Sequence, residues 1–181
     1  MEFDGGEDHI RNLSEWGSFY WVVPVVILTF IVVWIVDKKR YRKPVLWTML
    51  GIWFVALIYL MFLYRLPGRR APVFNINAFH MYRDAARYSG PIAKNQALRQ
   101  ILFNMLLYVP FGLIVGALSR RVWLTILIGI GFSIITEALQ YWTGLGWADI
   151  DDVISNIIGL LPGTLIYLQL QRWRIISNTN R

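Results

Sequence analysis

Along the chain, uncharged apolar runs of similar length alternate with segments that hold most of the charge. Crossing a hydrocarbon core of about 30 Å takes about 20 helical residues at about 1.5 Å each. Five runs approach that length: 18–36, 45–64, 101–118, 122–141 and 153–170. The pattern predicts an all-α fold, a polytopic transmembrane helical bundle. The second run, with Phe54, Val55, Ile58, Leu60 and Met61, has no polar face and is expected to meet lipid around most or all of its circumference. Between the second and third runs lies the segment 65–100, where Phe79, Tyr82 and Ala86 recur at helical spacing and Arg83 and Arg87 form an i, i+4 pair. This predicts a short helix on the membrane interface, with Gly68 and Pro72 before it and Gly90 and Pro91 after it.

Composition agrees with a membrane protein: 56% hydrophobic, 15% aromatic and only 16% charged residues, with a mean hydropathy of +0.47. The net charge of +7 would suit nucleic acid in a soluble chain, but here the basic residues sit between apolar runs, which argues against a nucleic-acid partner. The absence of cysteine excludes disulfides, thiolate metal sites and a cysteine nucleophile. Glu2, Asp4, Glu7, Asp8 and Glu15 replace the basic start of a secretory signal, so the first run is expected to stay attached.

Basic residues also predict orientation. Lys38, Lys39, Arg40, Arg42, Lys43, Arg120, Arg121, Arg172, Arg174 and Arg181 all fall on one side, expected to be cytoplasmic. The N-terminus then lies outside and the C-terminus in the cytoplasm. Trp16, Trp21, Trp142 and Trp147 fall near the outer boundary and Trp34, Trp47, Trp123 and Trp173 near the inner one, whereas Trp53 fits neither. Against the rule, the outer segment 65–100 holds Arg65, Arg69, Arg70, Arg83, Arg87, Lys94 and Arg99 against Asp84 alone. These cations either meet lipid phosphates at helix ends or form a site for an anionic ligand.

Alternation of the spans gathers the polar residues of the last three at one membrane face. Asn104 belongs to the third run, Glu137 and Gln140 to the fourth, and Asp149, Asp151, Asp152 and Asn156 to the start of the fifth. Ser133, Glu137 and Gln140 share one helix face with Gly129, and Asp152, Asn156, Gly159 and Gly163 share another. The pairs Gly112–Gly116 and Gly159–Gly163 have the G-x-x-x-G spacing that lets helices approach in lipid, so the last three spans are expected to form a tight core. Pro110 and Pro162 either kink their helices or are tolerated within them. Asp149 suits an N-cap with Asp152 at N3, which competes with a ligand role for both. Glu137 is an acid inside a span, at a cost of about 2.5 to 3.5 kcal/mol, and intramembrane acids mark functional sites by default. Asn104 and Asn156 serve either as hydrogen-bonding glue or as ligand contacts.

Other motifs fail. The aspartates do not form an EF-hand, since Val153 and Ile154 take its fifth and sixth positions. His9 and His80 lack a metal-spaced partner, Asn12-Leu13-Ser14 is a short sequon that arises often by chance, and no Walker loop, G-x-S-x-G or HExxH occurs.

The blocks Asn104-Met-Leu-Leu-Tyr-Val-Pro110-Phe-Gly112, Glu137-Ala-Leu-Gln140 and Asp149-Ile-Asp151-Asp152-Val-Ile-Ser-Asn156-Ile-Ile-Gly159 together resemble the VanZ-like family of bacterial membrane proteins. Val73-Phe-Asn-Ile-Asn77-Ala-Phe79 is similar to the family's preceding segment, with Ala78 where a proline is usual. The resemblance covers roughly Tyr64 to Leu170. It implies Asn104, Pro110, Gly112, Glu137, Gln140, Asp149, Asp152, Asn156 and Gly159 as motif positions without assigned roles. It also implies a link to low-level resistance against the lipoglycopeptide teicoplanin, with no settled biochemical activity. Three parts are expected: an acidic N-terminus with an added first span (1–44), the VanZ-like membrane domain (45–172) and a basic cytoplasmic tail (173–181), frayed over its last residues.

The expected function is action at the outer membrane face on or with an anionic envelope lipid, such as a polyprenyl phosphate, or a lipid-linked wall precursor. Arg65, Arg69, Arg70, Arg83, Arg87, Asn104, Gln140 and Asn156 are the candidate ligand-binding residues, and Glu137 the candidate acid or base. Asp149 and Asp152 are candidate ligands for Mg²⁺ or Ca²⁺, a cation that Asn156 and Glu137 would help to hold and that would bridge to phosphate. Binding and turnover both remain open, as does a homo-oligomer. The alternatives are a non-enzymatic surface protein that limits antibiotic or partner access and an ion-coupled carrier, the latter disfavoured by the lack of an internal repeat.

Overall fold

The computed structural model describes residues 22–37, 39–61, 74–87, 91–144 and 148–179. Its elements are α1 (Val22–Val36), α2 (Arg42–Met61), β1 (Phe74–Asn75), α3 (His80–Arg87), α4 (Pro91–Ser119), α5 (Val122–Thr143), β2 (Ala148–Asp149) and α6 (Ile150–Thr179). Helices α2, α4, α5 and α6 are long and apolar enough to cross a membrane, and α1 is an apolar helix of shorter described length. The first predicted run, 18–36, is thus described from Val22 onward. Two helices outrun their apolar segments. α4 begins at Pro91, well before Ile101, and α6 continues past Leu170 to Thr179, where a frayed end is expected.

α4 is the most buried of the four spans, and its contact with α6 is the most extensive between any two elements. Glycines explain that closeness. A Cβ at Gly159 would overlap the Met105 carbonyl, one at Gly163 the Val109 carbonyl, and one at Gly112 the Leu160 carbonyl. The two G-x-x-x-G pairs therefore face each other across α4 and α6, while α5 joins through Gly129 against the Leu160 side chain. Both helices run unbroken through Pro110 and Pro162.

α2 departs from the expected all-round lipid contact. Leu46, Leu50, Trp53 and Leu57 form a buried stripe at helical spacing, with Trp47, Ile52, Val55, Ile58 and Tyr59 exposed on the remaining surface. In lipid both faces are apolar, so polarity does not mark the buried one. Trp53, which suits neither aromatic belt, is a core residue: its indole Nε1 donates to the Leu107 carbonyl at 3.0 Å, and its ring stacks on Phe111 at 4.5 Å. The Leu107 carbonyl thus accepts from a side chain of another helix, which fixes the rotation of α2 against α4. Trp34, Trp47, Trp123 and Trp142 are exposed, as belt residues would be.

At the α4 C-terminal end, Arg42 is drawn inward rather than left in the basic loop. Its Nε lies 2.9 Å from Asp37 Oδ1, and its guanidinium donates to the Ala117 carbonyl. The first loop is thereby tied to the end of α4.

Candidate functional site

At the opposite end of α4, the alternation of helices gathers the N-terminal half of α4, the C-terminal end of α5 and the start of α6. Asn104 Nδ2 donates to Asp152 Oδ1 at 2.6 Å, and Gln100 Nε2 reaches the same carboxylate at 3.2 Å. Asn156 Nδ2 donates to Ser133 Oγ at 2.8 Å, and Glu137 Oε2 accepts from the Asp149 N–H at 3.0 Å. Asn104, Glu137, Gln140, Asp152 and Asn156 are all buried. Three helices are therefore joined by polar contacts inside the bundle.

The start of α6 is organised by its own aspartates. Asp149 acts as N-cap, with Oδ1 accepting from the Asp151 N–H at 2.9 Å. Asp152 does not complete a capping box, because its carboxylate turns to Asn104 and Gln100. Instead Asp151 Oδ1 accepts from the Phe79 N–H and Oδ2 from the Met81 N–H at 2.7 Å, holding the first turn of α3. Phe79 has φ of 63°, a left-handed conformation costly for a residue with a Cβ. The twin bonds to Asp151 hold it there. Tyr82 adds a second tie, with its hydroxyl 2.8 Å from Ser155 Oγ.

A two-residue parallel pairing completes this end, with Phe74 opposite Ala148 and Asn75 opposite Asp149. It brings Asn75 and His80 to the α6 N-terminus. His80 Nε2 lies 2.7 Å from Asp149 Oδ2 and 3.7 Å from Asp151 Oδ2. Among the described residues, His80, Asp149 and Asp151 are the His, Asp and Glu side chains close enough to share one ion. Of the other groups expected around a cation with Asp149, Asp152 meets Asn104, Asn156 meets Ser133, and Glu137 meets the Asp149 N–H. His80, set aside for want of a spaced partner in sequence, meets Asp149 through the fold.

Of the predicted arginines, Arg83 is exposed on α3, with its guanidinium 2.9 Å from Asn77 Oδ1. Arg65, Arg69 and Arg70 lie outside the described residues, as does the side chain of Arg87. Arg99, counted only as a loop cation, is buried one position before Gln100 on α4. Sequence reading missed Asn75, His80, Gln100 and the clamping role of Asp151. A signal existed for Gln100 alone, four positions before Asn104 and so one helical turn away.

Among the described residues, Gln140 and Asn156 are buried side chains at this end with polar atoms that no protein group satisfies. Neither Oε1 nor Nε2 of Gln140 has a hydrogen-bond partner, and the same holds for Asn156 Oδ1. Gln140 is 1% exposed and lies about one turn from Glu137 on the same face of α5. An unpaired buried polar group costs about 1–3 kcal/mol, so these atoms are candidates for contact with water or another polar species.

These features define a class: a multi-pass helical membrane protein with a polar, carboxylate-bearing site inside one end of its bundle. The family model described as VanZ/LLP1 matches residues 46–172, and the chain belongs to that VanZ-like family. Protein VanZ of Enterococcus faecium is 27% identical over 126 residues, which cover 66% of this chain and 71% of that protein. No solved structure matches the chain.

Proposed function

We propose that this VanZ-like protein binds the head group of an anionic envelope lipid or lipid-linked wall precursor at the outer membrane face. By that binding it would contribute to resistance against teicoplanin-type lipoglycopeptides. The observation that carries the reading is the buried, unpaired amide of Gln140 beside Glu137, with Asn156 Oδ1 also unpaired. A head group bearing hydroxyl or phosphoryl oxygens supplies both donors and acceptors to such atoms. Arg83, exposed on α3 at the same end, offers a charge-assisted contact to phosphate, and the basic segment 65–100 concentrates anions there. Glu137 is the candidate acid or base if turnover follows binding.

The test is native mass spectrometry on gently solubilised protein, wild type beside Gln140→Leu and Arg83→Ala, together with teicoplanin susceptibility of a sensitive host expressing each. Wild type is expected to retain a polyprenyl-phosphate lipid and to lower susceptibility. Both variants, equally folded, are expected to lose both effects. Equal retention in all three, or none in any, overturns the reading.

A second reading has its own support. Phe74, Ile76 and Phe79 are exposed around β1 and the start of α3, an apolar patch suited to the membrane surface or to a partner there. If loop substitutions such as Phe79→Ser abolish the resistance phenotype while Gln140→Leu leaves it intact, a non-enzymatic surface role replaces the lipid site.

A further inference from the structure

The start of α3 and the start of α6 bring three ligand-type side chains to one point outside the Gln140 cluster. His80 Nε2 is 2.7 Å from Asp149 Oδ2 and 3.7 Å from Asp151 Oδ2. Atoms bound to one ion at about 2.1 Å sit at most about 4.2 Å apart, so both separations suit a shared cation.

The polar groups at this point are crowded around one carboxylate oxygen. Asn75 Oδ1 accepts from the Asn77 N–H at 3.0 Å, so Asn75 presents its Nδ2 to the site. That Nδ2 lies 2.7 Å from His80 Nε2 and 3.3 Å from Asp149 Oδ2. If Nε2 carries a hydrogen, it donates to Asp149 but meets the Asn75 amide donor to donor. If Nε2 carries a lone pair, it accepts from Asn75 but faces the carboxylate oxygen of Asp149 acceptor to acceptor. With the hydrogen on Nε2, Asp149 Oδ2 accepts from both His80 and Asn75, while the two nitrogens stay crowded at 2.7 Å. A cation held by the Nε2 lone pair, Asp149 Oδ2 and Asp151 Oδ2 would take the place of the proton that His80 and Asp149 otherwise share, and would leave Asn75 donating to a ligating carboxylate.

We propose that His80, Asp149 and Asp151 form a binding site for a divalent first-row transition metal such as Zn²⁺. One imidazole nitrogen with two carboxylate oxygens suits zinc, whereas Mg²⁺ and Ca²⁺ favour an all-oxygen set. The carboxylates are held before any ion arrives: Asp149 by the Asp151 N–H, and Asp151 by the Phe79 and Met81 N–H groups. The His80 side chain is 22% exposed, which gives the ion a path in and leaves room for an exogenous ligand. The metal would clamp α3 and β1 onto α6, independently of whether a lipid occupies the Gln140 cluster.

The chain has two histidines, so a His9→Gln background isolates His80. Full-length protein in detergent, stripped with a chelator, is titrated with Zn²⁺ by calorimetry in excess Mg²⁺. One Zn²⁺ per chain is expected for His9→Gln, with binding weaker by roughly tenfold or more once His80→Gln is added. Cu²⁺-loaded His9→Gln protein is expected to show electron-paramagnetic nitrogen coupling from one imidazole, a readout that needs no second variant to fold. The assignment is overturned if the stripped His9→Gln protein binds no Zn²⁺, if both proteins bind it equally, or if no imidazole coupling is seen.

Discussion

Asn104 and Asp152 meet at 2.6 Å, where the middle of α4 touches the first turn of α6. Both are buried, and Gln100 supplies the second amide to the same carboxylate. Hydrogen bonds to a charged group contribute about 1.5–3 kcal/mol each, and removing one donor leaves the carboxylate under-solvated. Asn104→Ala is therefore expected to lower stability by about 2 kcal/mol, and Asp152→Asn by less. Equilibrium unfolding in mixed micelles over a double-mutant cycle measures the coupling, expected at about 1 kcal/mol or more. Additive effects would show that the pair does not join α4 to α6.

The glycines of α4 and α6 give a contrast within one residue type. A methyl group at Gly159 has no space, since it would overlap the backbone of Met105, whereas one at Gly131 or Gly51 meets nothing. Gly159→Ala is expected to cost about 3 kcal/mol or more, in the upper range for single substitutions. Gly131→Ala should be neutral or stabilise by about 0.5–1 kcal/mol through helix propensity. Thermal melts in detergent of the two variants, prepared side by side, decide this. Similar losses in both would mean that the close α4–α6 approach is absent.

Part of this architecture is legible in sequence because a bilayer leaves few choices. Run length marks the spans, and alternation brings Asn104, Glu137 and Asp152 to one end whichever way the chain is oriented. The glycine spacing marks which helices approach closely, though not that α4 and α6 pair more tightly with each other than with α5. What escapes is whatever depends on a contact across the fold. Trp53 shows its role only through a carbonyl on α4. His80 and Asp149 stand 69 positions apart, joined by the β1–β2 pairing that no periodicity announces. Arg42 counts as an inside-positive loop residue until Asp37 and the Ala117 carbonyl are seen around it.

That arginine supports a third prediction. Arg42 and Asp37 are both largely buried, so removing the cation takes from this carboxylate a charge partner at 2.9 Å. Arg42→Met is expected to cost about 3–5 kcal/mol, while the double variant Arg42→Met, Asp37→Leu recovers much of the loss. Lipid retention measured on the double variant is expected to match wild type, because the pair lies at the far end of α4. A double variant no more stable than the single one would show that Asp37 draws nothing from Arg42.

Tyr82 carries the fourth prediction, a pH dependence with a definite sign. Burial pushes its phenol above the ordinary value of about 10; the hydrogen bond with Ser155 opposes the shift, and the charges of Asp151 and Asp152 add to it. The folded chain therefore holds this proton more tightly than the unfolded chain does. The stability linked to Tyr82 is fully present below about pH 10 and is lost as pH rises through the raised pKa. Phenolate absorbance of wild type minus Tyr82→Phe isolates this residue among the nine tyrosines. The difference is expected to titrate with a midpoint above about 10. Because the Ser155 bond lowers the pKa, Ser155→Ala is expected to move the midpoint higher still. A downward shift in that variant, or a wild-type midpoint at or below the ordinary value, would show that Tyr82 is not docked between α3 and the first turns of α6.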